Sequence, residues 1–124
     1  MEQSDLNKDD GEHRVPASWR RVFEDIVRAF AAGDFQLMEH SINGVAAVDE
    51  ETAKQFELCA NSYGDTIVEL NPEVWDRSIY AHSCSGWQFL IDLTTRKERV
   101  SDLVLHAKFD EATGLLELHS VHVP

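Results

Sequence analysis

The chain has 124 residues, 43% hydrophobic and 27% charged, enough for one domain with its own core and no covalent staples. Its net charge of −12 repels a phosphate backbone, which sets nucleic acid aside as a partner. No apolar run reaches the roughly 20 residues of a membrane helix and the first residues lack the apolar centre of a signal peptide, so the expectation is a cytoplasmic protein without membrane contact, whose Cys59 and Cys84 stay reduced.

Residues 1–14 carry Leu6 as their only large apolar group, which predicts a disordered acidic tail before a single α+β domain over 15–124. Trp19, Val22, Phe23, Ile26, Val27 and Phe30 then recur at spacings of three and four, one stripe of a helix that opens at Pro16 and stops at Gly33. FQLMEHSI reads as a short helix capped by Asp34 and ended by Asn43-Gly44. Asp49 caps the next helix, with Glu50 and Glu51 at the positive end of its dipole, Ala53, Phe56, Ala60 and Tyr63 as its stripe, and Gly64 as its stop.

After Gly64 the period changes to two. TIVEL (66–70) is a short strand or last helical turn closed by Asn71-Pro72, RSIYAHSC (77–84) a strand, and GWQFLIDLTT (86–95) a stronger one with Trp87, Phe89, Ile91 and Leu93 on one side. The chain closes in a hairpin. Leu103, Leu105, Ala107 and Phe109 alternate with Asp102, Val104, His106 and Lys108, and Glu111 to Gly114 make the loop. That loop pairs Phe109 with Leu116, Ala107 with Leu118, Lys108 with Glu117 and His106 with His119. It turns His122 to the opposite face, beside Leu103, and leaves Val104 and Val121 next to the histidines. The predicted architecture is two-layer α+β, two main N-terminal helices on one face of an antiparallel sheet of three to five strands.

His106 and His119, with Glu117 and Asp102 on the same face and Asp92 on the next strand, are the candidates for a metal site, two imidazoles and a carboxylate being a zinc-like set. Their spacing matches no metal motif, and a solvated or interface pair is the favoured reading, with no metal and no cofactor expected. His82 and Cys84 share a strand face without a third, orienting group, so no nucleophile is assigned. No phosphate-cradling glycine loop or serine elbow occurs, and no catalytic residue is named.

The first helix ending in AAGD (31–34), then NSYGD (61–65), WQFLIDL (87–93), SDLVL (101–105) and LHSVHVP (118–124) together resemble a family of small bacterial proteins of unknown function. The resemblance spans nearly all of the chain after residue 15, and its most specific parts are W-x-x-x-I-D-L followed by S-D-L-x-L. The family carries an acidic, glycine-containing turn between those motifs where this chain has RKER (96–99). The resemblance implies a compact bacterial α+β domain and no assigned activity. Helices ahead of a sheet are also similar to the cone-shaped fold of the nuclear transport factor and polyketide cyclase families, which house ligands between helix and sheet.

Residues 34–76 hold ten acids against the single base Lys54. The resulting expectation is a noncatalytic binding protein of the immunity or accessory type, meeting a basic protein partner through Asp49, Glu50, Glu51 and Glu57 or through the sheet face with His106 and His119. The alternative is a small enzyme or ligand-binding domain with a pocket between the first helix and the sheet, edged by Trp75, Trp87, His82 or His106. A homodimer through the sheet face is a further expectation.

Overall fold

The stripe beginning at Trp19 folds as α1, Ala17–Ala31, and buries Trp19, Val22, Phe23, Ile26, Val27, Ala29 and Phe30. These elements belong to a computed structural model that describes residues 1–84 and 86–124. α2, Glu50–Tyr63, starts where Asp49 accepts the Thr52 N–H at 2.7 Å and ends where Gly64 takes φ 85°, both as the sequence predicts.

Among the described residues there are seven strands, six of them within the segments the sequence marks as extended and the first outside them. β1 (Glu12–Arg14), β3 (Ile79–Ser83), β4 (Gly86–Asp92), β6 (Val104–Asp110) and β7 (Leu115–His122) form one antiparallel sheet in the order β1-β3-β4-β6-β7. β2 (Ile67–Val68) and β5 (Thr94–Thr95) pair separately, because the chain leaves the large sheet at Leu93. There Leu93 N–H donates to the Leu103 carbonyl at 2.9 Å, while Ser101 N–H and Oγ–H donate to the Leu93 carbonyl at 2.9 and 2.7 Å. The I-D-L and S-D-L segments therefore lock to each other.

The helices lie on one face of the sheet, as expected. Trp19 stacks on Phe89 at 5.1 Å and meets Phe109 edge-on at 5.0 Å, Phe23 packs on Phe89, and Phe30 of α1 packs on Phe56 of α2. Tyr80, Trp87, Ile91, Leu105, Ala107, Leu116 and Val121 complete this core. Gly86 is required where β4 crosses β6: a Cβ there would stand 2.2 Å from the Phe109 carbonyl oxygen, and its φ of 150° suits glycine.

Three expectations are corrected. Residues 1–14 are folded onto the domain: β1 pairs with β3, Leu6 is buried, Trp19 Nε1–H donates to the Glu2 carbonyl at 2.8 Å, and Trp87 Nε1–H donates to the Asn7 carbonyl at 3.0 Å. The buried indoles supply what the tail's composition lacks. Second, residues 35–42 form turns without a helix, because Leu37 takes a left-handed φ of 56° and the Asp34 carboxylate gathers the N–H groups of Met38, Glu39 and His40.

Third, the hairpin holds the expected register at Phe109–Leu116, Lys108–Glu117 and Ala107–Leu118, then shifts by one residue, so that His106 faces Ser120, Leu105 faces Val121 and Val104 faces His122. A bulge at His119 causes the shift. It returns Val121 to the core and brings His122 onto the outer face with His106.

Candidate functional site

The ten acids of residues 34–76 divide by what they touch. Asp34, Asp49 and Asp65 accept backbone N–H groups, from Met38, Glu39 and His40, from Thr52, and from Thr66 and Lys97 respectively. Glu69, Glu73 and Asp76 pair with Arg28, Arg99 and Arg14 at 2.7, 3.3 and 3.9 Å. The remaining four are Glu39, Glu50, Glu51 and Glu57, all exposed, and only Glu50 of these makes an ion pair among the described residues, with Lys54 at 3.5 Å. Glu39, Glu50 and Glu57 line one groove of about 450 Å³ between α2 and the loop after α1, together with Lys54 and Met38. The Met38 side chain stands there 73% exposed. Of the expected contact residues, then, Glu50 and Glu57 share a groove, Glu51 is on the exposed first turn of the same helix, and Asp49 is engaged as its cap. Glu39 and Met38 were not anticipated, because a helix over 35–42 would have placed them differently.

The outer face of the large sheet is covered by neither helix. It presents Ile79 and Ala81 of β3, Gln88, Leu90 and Asp92 of β4, Val104, His106 and Lys108 of β6, and Glu117, Ser120 and His122 of β7. His106 and His119 do lie side by side, ring centres 5.3 Å apart and planes at 74°. His106 Nε2–H donates to Gln88 Oε1 at 2.6 Å, which takes that nitrogen away from a metal, and His119 Nε2 is 3.5 Å from Glu117 Oε2. Among the described residues no three His, Cys, Asp or Glu side chains are grouped as a metal site requires. Burial, and then the neighbouring His119 and His122, lower the His106 pKa.

Asp92 occupies the same face and is only 7% exposed. Burial raises its carboxyl pKa, Arg77 opposes the rise and Asp102 adds to it. Among the described residues nothing donates a hydrogen bond to its Oδ2, although Arg77 Nε stands 3.3 Å away. Around it runs a groove of about 530 Å³ walled by Ile79, Leu90 and Val104 and edged by Glu12, Arg77 and Asp102.

The pocket expected between α1 and the sheet is filled. Trp19, Phe23, Tyr80, Trp87 and Phe89 are at most 2% exposed, and His106 is on the other side of the sheet. Trp75 is buried under the Arg20 guanidinium, 5.5 Å from its ring centre. His82 meets the edge of Trp87 at 5.2 Å, and Cys84 lies beyond the end of β3, exposed, so the two do not share a strand face. No helix among the described residues is long and apolar enough to cross a membrane.

A family model described as a domain of unknown function (DUF7668) matches residues 27–124. No curated protein and no solved structure matches the chain.

Proposed function

The chain belongs to the DUF7668 family, and we propose that it is a noncatalytic, cytosolic protein-binding module of the immunity or accessory type, which meets a basic protein partner through the acidic groove beside α2. The observation that carries this reading is the sorting of the acids. Of the ten in residues 34–76, three accept backbone N–H groups and three pair with arginines of other segments, while Glu39, Glu50 and Glu57 line the groove that holds the exposed Met38, with Lys54 as its base and Glu51 on the adjoining turn of α2. Carboxylates flanking an apolar side chain suit a partner that presents Lys or Arg around an apolar anchor. The filled interior favours recognition at the surface over chemistry in a pocket.

The test uses the full chain as bait in extract of its own host, beside a Glu39→Lys, Glu50→Lys, Glu57→Lys variant. The expected outcome is a basic protein held by the wild type, released between about 50 and 300 mM salt, and not held by the variant. A partner indifferent to both salt and charge reversal would remove the reading.

A second reading, a homodimer through the outer sheet face, is favoured by the side-by-side Ile79, Leu90 and Val104 on a face that no helix covers. Its mass in solution decides it.

A further inference from the structure

We propose that the groove on the outer sheet face binds an alkylguanidinium group, the chemistry shared by an arginine side chain and a small guanidine, with Asp92 as its anion. This is a different surface from the acidic groove beside α2, so it stands or falls independently of the basic-partner reading, while it shares Ile79, Leu90 and Val104 with the dimer face.

The inference starts from a cost. A carboxylate whose side chain is 10% exposed has lost most of its hydration, and such groups are ordinarily repaid with hydrogen bonds. Asp34 is: it is similarly sheltered and accepts three backbone N–H groups and the His40 ring. Asp92 Oδ2 accepts none from the described residues. Arg77 Nε stands 3.3 Å from it in an ion contact, and the Arg77 side chain is 62% exposed, so that cation is largely hydrated and movable.

The surroundings state what would complete the site. Glu12, Asp92 and Asp102 face one base, Arg77, which leaves the groove anionic. Its walls are the side chains of Ile79, Leu90 and Val104, apolar surface for the methylene stem of a ligand. A planar guanidinium carries five N–H donors and is weakly hydrated, so it can satisfy Asp92 and reach the rim carboxylate of Asp102 together, where an ammonium would sacrifice more hydration. The strand pairing fixes the walls. Ile79 stands opposite Leu90 and Asp92 opposite Val104, so anion and apolar surface are held by the sheet without loop closure.

The experiment is an amide-resolved NMR titration of the full chain with three probes: N-acetyl-arginine methylamide, butylguanidinium, and N-acetyl-norleucine methylamide as the uncharged control. The expected result is saturable shifts at Ile79, Leu90 and Val104 with the two guanidinium probes and none with the control. Equal affinity for both guanidines assigns the site to a small molecule, and a preference of about tenfold for the capped arginine assigns it to a peptide segment. Asp92→Asn weakens binding at least about tenfold, and Arg77→Ala tightens it severalfold by removing a competing cation. If Asp92→Asn does not fold, Asp102→Asn at the exposed rim gives the same reading, with a weakening of about threefold. No shift up to about 50 mM probe, unchanged binding in the Asp variant, or weakening by Arg77→Ala would overturn the proposal.

Discussion

Asp34 and Asp92 are sheltered to a similar degree, with side chains 13% and 10% exposed, yet they titrate in opposite directions. Burial raises the pKa of each. At Asp34 the His40 ring and the N–H groups of Met38, His40 and Glu39 outweigh that effect and hold the carboxyl at about 2. A folded-state value below the unfolded one makes the ionised carboxylate stabilising above the ordinary Asp range, and that contribution, about 2 kcal/mol, is lost as pH falls through about 2. At Asp92 burial prevails over Arg77, and Asp102 reinforces it. There the folded chain holds a proton more tightly than the unfolded chain, so ionisation at neutral pH is a cost that recedes as pH falls through the raised value. Thermal unfolding at pH 7 therefore separates the two. Asp34→Ala should lower Tm by several degrees, a loss of about 2 kcal/mol, whereas Asp92→Asn should leave Tm unchanged or raise it. An Asp92→Asn variant as damaged as Asp34→Ala would show that Asp92 is a structural carboxylate after all.

The amino-terminal segment shows the same dependence on individual hydrogen bonds one level up. Glu2 and Asn7 provide the carbonyls for two core indoles, Asn7 N–H donates to the Tyr80 hydroxyl at 3.0 Å, and β1 supplies the edge strand beside β3. Deleting residues 1–11 leaves Trp19 and Trp87 N–H groups without those partners and uncovers the surface under Leu6, a loss of about 3 kcal/mol. Urea unfolding should show a lower midpoint, and acrylamide should quench the tryptophans more strongly; a deletion without either effect would restore the disordered-tail reading. This segment was illegible in the sequence because its contribution is made by main-chain carbonyls and one leucine, which composition cannot register. α1, α2 and the first four pairs of the hairpin, Asp110–Leu115 to Ala107–Leu118, are legible, since a 3.6-residue stripe, an Asp–Gly pair of caps and an alternation of two each follow from local chemistry. The bulge at His119 is not, as no glycine marks it. It follows from a long-range demand, that Val121 face the core beside Leu105. The alternation puts Asp92 on the correct side of β4 but does not show its burial, because Val104, which packs beside it, comes from another strand. An acid between Ile91 and Leu93, on a side shared with Leu90, was the available signal.

For the whole molecule, the outer sheet face decides between a monomer and a pair, and its histidines give the choice a pH dependence. His106 is half-buried between Gln88 and Leu90 of β4 and the His119, Ser120 and His122 stretch of β7, with Lys108 two residues along its own strand. Burial lowers its pKa first, and the charges of His119 and His122 lower it further. A depressed imidazole favours the native state above the ordinary His value near 6.5, and that advantage is lost as pH falls below it toward the lowered value. If two copies meet through Ile79, Leu90 and Val104, the imidazoles lose more water and the effect grows, so protonation separates the subunits before it unfolds them. Light scattering should then report twice the chain mass at about pH 8 and the chain mass at about pH 5.5. His106→Gln should hold the larger mass at the lower pH, and Leu90→Arg should give the single chain mass throughout. A single chain mass at about pH 8 would remove the dimer, and a doubled mass indifferent to pH would remove the histidine switch. The Asp92 groove shares Ile79, Leu90 and Val104 with this surface, so a guanidinium ligand and a second subunit exclude each other there. Capped arginine added to a dimer at about pH 8 should therefore lower its mass without acid, a coupling that neither site would show alone.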